Sequence, residues 1–339
     1  MSDIAVADLN EDGNLDLVTA SHTSGVVVLF GHGDGTFDPA PDIKVAPGDV
    51  VRAADLNGDG HTDLVAAGDQ LAVLLGRGDG TFAVPAFLAA GSDVSSSKLN
   101  LRGMVVADLN ADAFPDLVAA NWVTSQLSVL LGNGDGTFQA PSLSSCPSCL
   151  AVAPGDVNRD GNVDIVAASF SPGTDPGTVA RPGTVFVFLN DGAGGLVSPV
   201  GYDPLGNAAT ITLGDLNGDG ALDVVTGNDA SDSLSVLLGG GDGTFAEART
   251  YPADNTYSVA VVDLDGDGKL DVVSGSPKAT KLWFYRGMGD GSLVDTQGIE
   301  VTPDVAQSVR AVDLNGDGKL DLALYYSGSR AVVSILLAN

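Results

Sequence analysis

Basic side chains are scarce in this sequence: 15 lysines and arginines stand against 44 aspartates and glutamates, giving a formal net charge of -29. Nucleic acid and anionic membrane surfaces both need clustered positive charge, so neither is an expected partner. Cations are the natural counterpart. No run approaches the ~18 consecutive apolar residues that cross a bilayer, which excludes insertion through a transmembrane helix. Met1 and Ser2 lead almost directly into a strand-like segment, without a basic and an apolar leader region; a secreted protein is therefore expected to have had its leader removed. Cysteine is nearly absent. Cys146 and Cys149 form a lone Cys-Pro-Ser-Cys, too few for a disulfide framework and without the second pair of a zinc site. A local disulfide is the favoured reading, an unpaired structural role comes next, and redox catalysis last, because no βαβ context surrounds the pair. The three histidines, His22, His32 and His61, are scattered, with no serine or cysteine spaced for nucleophilic catalysis.

Glycine and proline are plentiful, at 45 and 16 residues, while 44% of the chain is hydrophobic. That balance describes strands and turns around a sizeable core. One nine-residue pattern recurs seven times: DLNEDGNLD from Asp8, DLNGDGHTD from Asp55, DLNADAFPD from Asp108, DVNRDGNVD from Asp156, DLNGDGALD from Asp215, DLDGDGKLD from Asp263 and DLNGDGKLD from Asp313. A second motif follows each copy but the last, as in FGHGDGTF from Phe30 and RGMGDGSL from Arg286. Its Gly-Asp-Gly centre supplies the positive φ angles of a tight hairpin.

Each unit parses into four strands. In the sixth these are SVAVVDL from Ser258, LDVVSGS from Leu270, KLWFYRG from Lys281, and a weaker segment from Ser292 to Val301. The first two are apolar on both faces, as inner strands between neighbouring sheets must be, and the polar fourth suits an outer rim. Repeats of about fifty residues in this number predict an all-β fold, a seven-bladed β-propeller of four-stranded antiparallel blades. The chain is expected to form one domain over 1–339, with blades beginning near residues 3, 50, 103, 151, 209, 257 and 307. The last blade has only three strands, ending in AVVSILL; an apolar edge of this kind makes an edge-strand dimer a possible assembly.

The aspartate pattern places side-chain oxygens at positions 1, 3, 5 and 9, with a glycine at position 6 that lets position 7 offer its carbonyl. That donor set predicts calcium, which takes 6 to 8 hard oxygens flexibly. The candidate ligands are Asp8, Asn10, Asp12, Asn14 and Asp16; Asp55, Asn57, Asp59, His61 and Asp63; Asp108, Asn110, Asp112, Phe114 and Asp116; Asp156, Asn158, Asp160, Asn162 and Asp164; Asp215, Asn217, Asp219, Ala221 and Asp223; Asp263, Asp265, Asp267, Lys269 and Asp271; and Asp313, Asn315, Asp317, Lys319 and Asp321. An EF-hand would need a glutamate at position 12, where this chain has Thr19, Ala66, Ala119, Ala167, Thr226, Ser274 and Leu324. The seven copies hold 22 aspartates, so bound Ca²⁺, up to seven ions, would relieve much of the repulsion. In the third copy Ala113 replaces the glycine; a Cβ in a left-handed turn costs about 1 kcal/mol, so the site at Asp108 is expected to be the weakest.

The paired motifs resemble the FG-GAP and VCBS repeats of integrin α-chain propellers, and the resemblance covers essentially the whole chain. It implies that each aspartate loop joins the first and second strands of a blade and is a calcium site. It also implies two kinds of ligand: integrin propellers meet a partner protein on the face opposite these loops, and propeller lectins with similar repeats hold sugars between blades. Antiparallel topology puts the calcium loops and Gly-Asp-Gly turns at one end of each blade, and leaves the longer connections at the other. Candidate ligand-binding aromatics there are Trp122, Phe170, Tyr202, Tyr251 and Tyr257, with Arg181, Lys278, Lys281 and Arg330 nearby. The alternative for each aromatic is packing of a loop onto its blade. Arg77-Gly78-Asp79 spells an integrin ligand tripeptide, but it falls in the hairpin motif and reads as coincidence. The expectation is a secreted or cell-surface recognition or adhesion module for a protein or glycan, not an enzyme. A multivalent lectin is the alternative, and a polysaccharide-processing enzyme ranks below both.

Overall fold

Second strands that are buried along their whole length can exist only between other layers, and here every one of them starts at a ninth-position aspartate. They run Asp16–Ser21, Asp63–Gly68, Asp116–Asn121, Asp164–Ser169, Asp223–Asp229, Asp271–Gly275 and Asp321–Ser327. Each pairs with a first strand: Ser2–Ala7, Gly48–Ala54, Leu101–Ala107, Cys149–Gly155, Asn207–Gly214, Ser258–Val262 or Ala306–Val312. A computed structural model describes residues 2–21, 25–40, 43, 48–91, 99–170, 183–229, 231–276, 281–295, 298–301, 306–327 and 331–338.

The protein is an all-β, seven-bladed propeller. Six blades carry four strands in antiparallel sequence order, and the last, Ala306–Val312, Asp321–Ser327 and Ala331–Leu336, carries three. Among the described residues no helix is long and apolar enough to cross a membrane. The outer strands are short and exposed, as Phe37–Pro39 and Val200–Tyr202 show. In the sixth blade the expected outer strand is broken into Leu293–Asp295 and Ile299–Glu300, both paired with Lys281–Gly287.

The chain packs as two compact units, Met1–Leu143 with Arg310–Asn339, and Ser144–Val309. In the first unit, Leu9, Val18, Val28, Val51, Leu64 and Leu74 form a core shared by the first two blades. Val65, Val73, Leu101, Met104 and Leu117 join the second to the third. The last blade packs on the first through Ile4, Leu17, Leu314, Ala323 and Tyr325. A charged clasp accompanies that contact. Arg310 donates from its terminal nitrogen to Asp3 Oδ1 at 2.6 Å and from Nε to the Ile4 carbonyl at 3.1 Å, while Arg52 of the second blade donates to Asp3 Oδ2. Burial pushes the Asp3 carboxyl up, but the two guanidiniums outweigh it and hold the group below the usual carboxylate range.

In the second unit, Val166, Val187, Ile211 and Val224 join the fourth and fifth blades, and Val225, Val236, Val272 and Tyr285 the fifth and sixth. Cys146 and Cys149 are joined as a disulfide across a Cα separation of 5.6 Å, in the turn that enters the fourth blade.

Candidate metal centre

The seven aspartate loops share one hydrogen-bond scheme. The first-position carboxylate accepts the N–H of position 6 at 2.8 or 2.9 Å in every copy. The third-position side chain accepts the N–H of position 5 at 2.9 to 3.2 Å. The fifth-position aspartate accepts the N–H of position 7 at 2.7 to 3.0 Å. Short aspartate and asparagine side chains favour such local turns because they reach their own backbone two residues on. The result is that one side-chain oxygen at each of positions 1, 3 and 5 is held by the backbone of its own loop.

Two backbone positions in each loop are left-handed. Position 6 has φ between 69° and 90°, including 69° at Ala113, so the substitution in the third copy carries the expected steric penalty. Position 4 is left-handed as well, at 57° for Ala111 and 58° for Glu11 and Arg159. The third loop therefore holds two strained alanines, of which the spacing exposed only one.

The ninth-position aspartate has a second role. It is buried in all seven copies, and its two oxygens accept backbone N–H groups from separate parts of the blade. Oδ2 accepts from position 2 at 2.8 to 3.1 Å. Oδ1 accepts from the residue that follows or ends the third strand, Gly31, Gly76, Gly132, Asn190, Gly239, Gly287 or Ala338, at 2.7 to 2.9 Å. This carboxylate ties the loop to the hairpin strand. It also brings backbone so close that a Cβ on Gly31 would lie 2.2 Å from the Leu15 carbonyl oxygen, which explains the glycine of the second motif. Burial raises the carboxyls of Asp16, Asp63, Asp116, Asp164 and Asp223, against the lowering effect of the two amides.

The donor set suits a hard divalent cation on two observations. Asp8 Oδ1 is buried in the first loop and finds no hydrogen-bond donor. In the sixth, one oxygen from each of Asp263, Asp265 and Asp267 falls within 4.8 Å of the others, close enough to share an ion.

Neighbouring loops also touch. Glu11, at position 4 of the first loop, hydrogen-bonds His61 Nδ1 of the second. Arg159 of the fourth loop donates to the Asp219 carbonyl of the fifth at 2.9 Å. Hairpin amides add to this: Gly80 N–H donates to Leu9 O at 3.1 Å and Gly136 N–H to Leu56 O at 3.2 Å.

The candidate aromatics divide. Tyr202 stacks edge-on against Phe245 at 5.5 Å, with its hydroxyl 3.4 Å from the Gly243 carbonyl. The Tyr251 hydroxyl accepts the Leu293 N–H at 3.2 Å. Both lie in outer strands and fasten consecutive blades. Trp122, Phe170 and Tyr257 are half-buried in connections at the blade ends away from the aspartate loops. The Tyr257 hydroxyl donates to Asp229 Oδ2 at 2.6 Å. Two neighbouring contacts had no sequence signal: Trp283 Nε1 donates to Asp254 at 2.8 Å, and Asn255 Nδ2 to Asp232 at 2.7 Å. Lys281 pairs with Glu300, whereas Arg181, Lys278, Arg330 and His22 lie outside the described residues. Arg77 donates to the Phe82 carbonyl at 2.7 Å, inside its own hairpin.

The family model described as FG-GAP-like repeat matches six segments, 8–66, 55–119, 108–167, 178–226, 215–274 and 263–324, most of them running from one aspartate loop into the next. No curated protein matches the chain. Among solved structures it is similar to a lectin from Agrocybe aegerita, described as recognising non-reducing terminal N-acetylglucosamine. The two share 22% identity, with a TM-score of 0.62 over 88% of this chain and 80% of the lectin. It is also similar to BBS1N, solved in complex with ARL6DN, at 14% identity and a TM-score of 0.65 over 99% of this chain and 91% of the other.

Proposed function

This chain belongs to the FG-GAP-like repeat family, and from that premise we propose that it is a non-enzymatic recognition propeller, stabilised by calcium in its aspartate loops. The observation that carries the calcium reading is the shared hydrogen-bond scheme, which fixes the oxygens of positions 1, 3 and 5 before any ion arrives and leaves Asp8 Oδ1 without a donor. The carboxylates of positions 1, 5 and 9, the side-chain oxygen of position 3 and the carbonyl of position 7 would hold the ion. Calcium would supply the charge that offsets their mutual repulsion. Extracellular calcium modules bind at roughly 10⁻⁴ to 10⁻³ M, so the same reading places the protein outside the cell or on its surface.

Recognition is assigned to the opposite ends of the blades, where the connections differ from one another and are free to vary on a rigid scaffold. A glycan is favoured there by one cluster, in which Tyr257 and Trp283 stand beside Asp229, Asp232, Asp254 and Asn255. Flat aromatic faces beside carboxylate and amide groups suit a sugar's apolar face and hydroxyls. The likeness to a lectin supports this form of the reading, and the likeness to BBS1N supports a protein ligand instead. A glycan array in calcium and in EDTA, with Tyr257→Ala and Asp232→Ala alongside, tests it. Binding lost in both variants supports the glycan site; an array with no binder removes it and leaves the protein ligand. Dimerisation through the edge Ala331–Leu336 belongs to the same proposal, and light scattering that finds only monomer at high concentration removes it.

A further inference from the structure

The sixth aspartate loop departs from the other six in one residue and in one partner. Position 3 is asparagine in six copies, Asn10, Asn57, Asn110, Asn158, Asn217 and Asn315, and aspartate only at Asp265. Each asparagine does two things. Its oxygen accepts the position 5 amide, and its Nδ2 donates to the outer oxygen of the position 5 aspartate at 2.8 to 3.3 Å. Asp265 keeps the first contact with Asp267 N–H but has no N–H for the second. It sets two ionised carboxylates face to face where the other loops have a carboxylate and an amide.

Arg286 supplies what the amide does not. Its Nε lies 3.1 Å from Asp265 Oδ2, and a terminal nitrogen lies 2.9 Å from Asp267 Oδ2. The guanidinium thus reaches the same outer oxygen that asparagine reaches elsewhere, and the neighbouring carboxylate too. Lys269 adds its ammonium 3.6 Å from Asp267. The hydrogen bond to Asp267 and the charge of Asp265 raise the Arg286 group above its usual range.

Arg286 also stands where the other blades place an apolar side chain: Phe30, Leu75, Leu131, Leu189, Leu238 and Leu337. In the described contacts that side chain lies beneath the second hairpin glycine of the next blade, with Phe30 under Gly80, Leu75 under Gly136, Leu189 under Gly243 and Leu238 under Gly291. Arg286 instead turns to the aspartates of its own blade's loop. The one copy with an aspartate at position 3 is the one copy with a cation at this place.

We propose that Arg286 is a built-in counter-ion of the sixth loop, which holds Asp265 and Asp267 in place without a metal and must swing aside before a divalent ion can use their outer oxygens. The consequence is that this loop keeps its shape in the absence of calcium and fills late. Only the second half rests on the calcium reading above.

The test compares the parent protein with Arg286→Leu, Asp265→Asn and the double variant, which rebuilds the loop of the other copies. In EDTA, Arg286→Leu is expected to lower the melting temperature and Asp265→Asn, added to it, to restore it. A side chain that merely packs would not be rescued by the asparagine. In a calcium titration followed by native mass spectrometry, Arg286→Leu is expected to fill one site at about fivefold lower calcium, the ceiling that an exposed ion pair sets. An unchanged EDTA melt in Arg286→Leu, or no rescue, overturns the counter-ion. If the EDTA cycle holds and calcium binds to no loop in any variant, the counter-ion stands and the calcium reading falls. If the cycle holds and calcium fills this site equally in both proteins, the displacement step is overturned.

Discussion

The two ends of each blade obey different rules. At the aspartate-loop end the same side chains make the same bonds seven times over: positions 1, 3 and 5 cap backbone amides, and position 9 joins loop to hairpin. At the other end the described connections differ from one another. One carries a disulfide at Cys146 and Cys149, one an Asp229–Tyr257 bond, and at one the first strand, Ser2–Ala7, holds Asp3 under two arginines. What repeats is bound by the fold, and what varies is available to selection for a ligand.

The contrast predicts where stability is concentrated. The largest effect should come from removing calcium. At tenfold saturation each ion adds about 1.4 kcal/mol, so chelation is expected to lower the melting temperature by many degrees, and a melt in EDTA that matches the melt in calcium would break the comparison at its stronger end. Next is Asp223→Ala, which strips two buried amides, Leu216 N–H and Gly239 N–H, of their acceptor. Each unsatisfied group costs about 1 to 3 kcal/mol, so urea denaturation should show a loss of about 3 kcal/mol or more.

The opposite end offers one charged contact of comparable interest. Asp3 has its carboxyl held below the usual range, so its contribution is present above the unfolded value near 3.9 and is lost as pH falls through the lower folded value. Asp3→Asn should be less stable than the parent at neutral pH, with the gap closing only in strong acid; a gap that stays constant down to pH 2 would show that the clasp is not electrostatic. Smallest is Ala113→Gly. It removes a Cβ from a left-handed position and should gain about 1 kcal/mol while tightening the third site. A loss of stability in that variant would mean the alanine methyl makes a contact worth more than its strain.

Much of this was legible in the sequence because the signal is short-range. A nine-residue spacing and a hairpin motif locate the loops, the number of blades and the three-stranded last blade without any knowledge of distant contacts. The broken outer strand of the sixth blade was not legible, since short exposed strands have little hydrophobic pattern to read. The double duty of the ninth aspartate was hidden for another reason: Asp16 meets an amide fifteen residues away, at Gly31, across a turn whose length varies between copies. Ala111 looked ordinary because position 4 accepts Glu11 and Arg159 as well as glycine, so composition there conceals the left-handed backbone. Tyr202 and Tyr251 read as exposed aromatics because their partners, Phe245 and the Leu293 amide, belong to the following blade.

The hairpin carries both halves of a joint. In the first unit Leu337 of the last blade fits under Gly35 of the first, as Phe30 fits under Gly80 and Leu75 under Gly136. Knob and socket thus sit a few residues apart on one piece of chain and face opposite neighbours, a head-to-tail contact of the kind that builds rings from identical parts. A blade that carries both halves, exchanged for another such blade, would bring its own knob and its own socket, and the joints on both sides would find their usual counterparts.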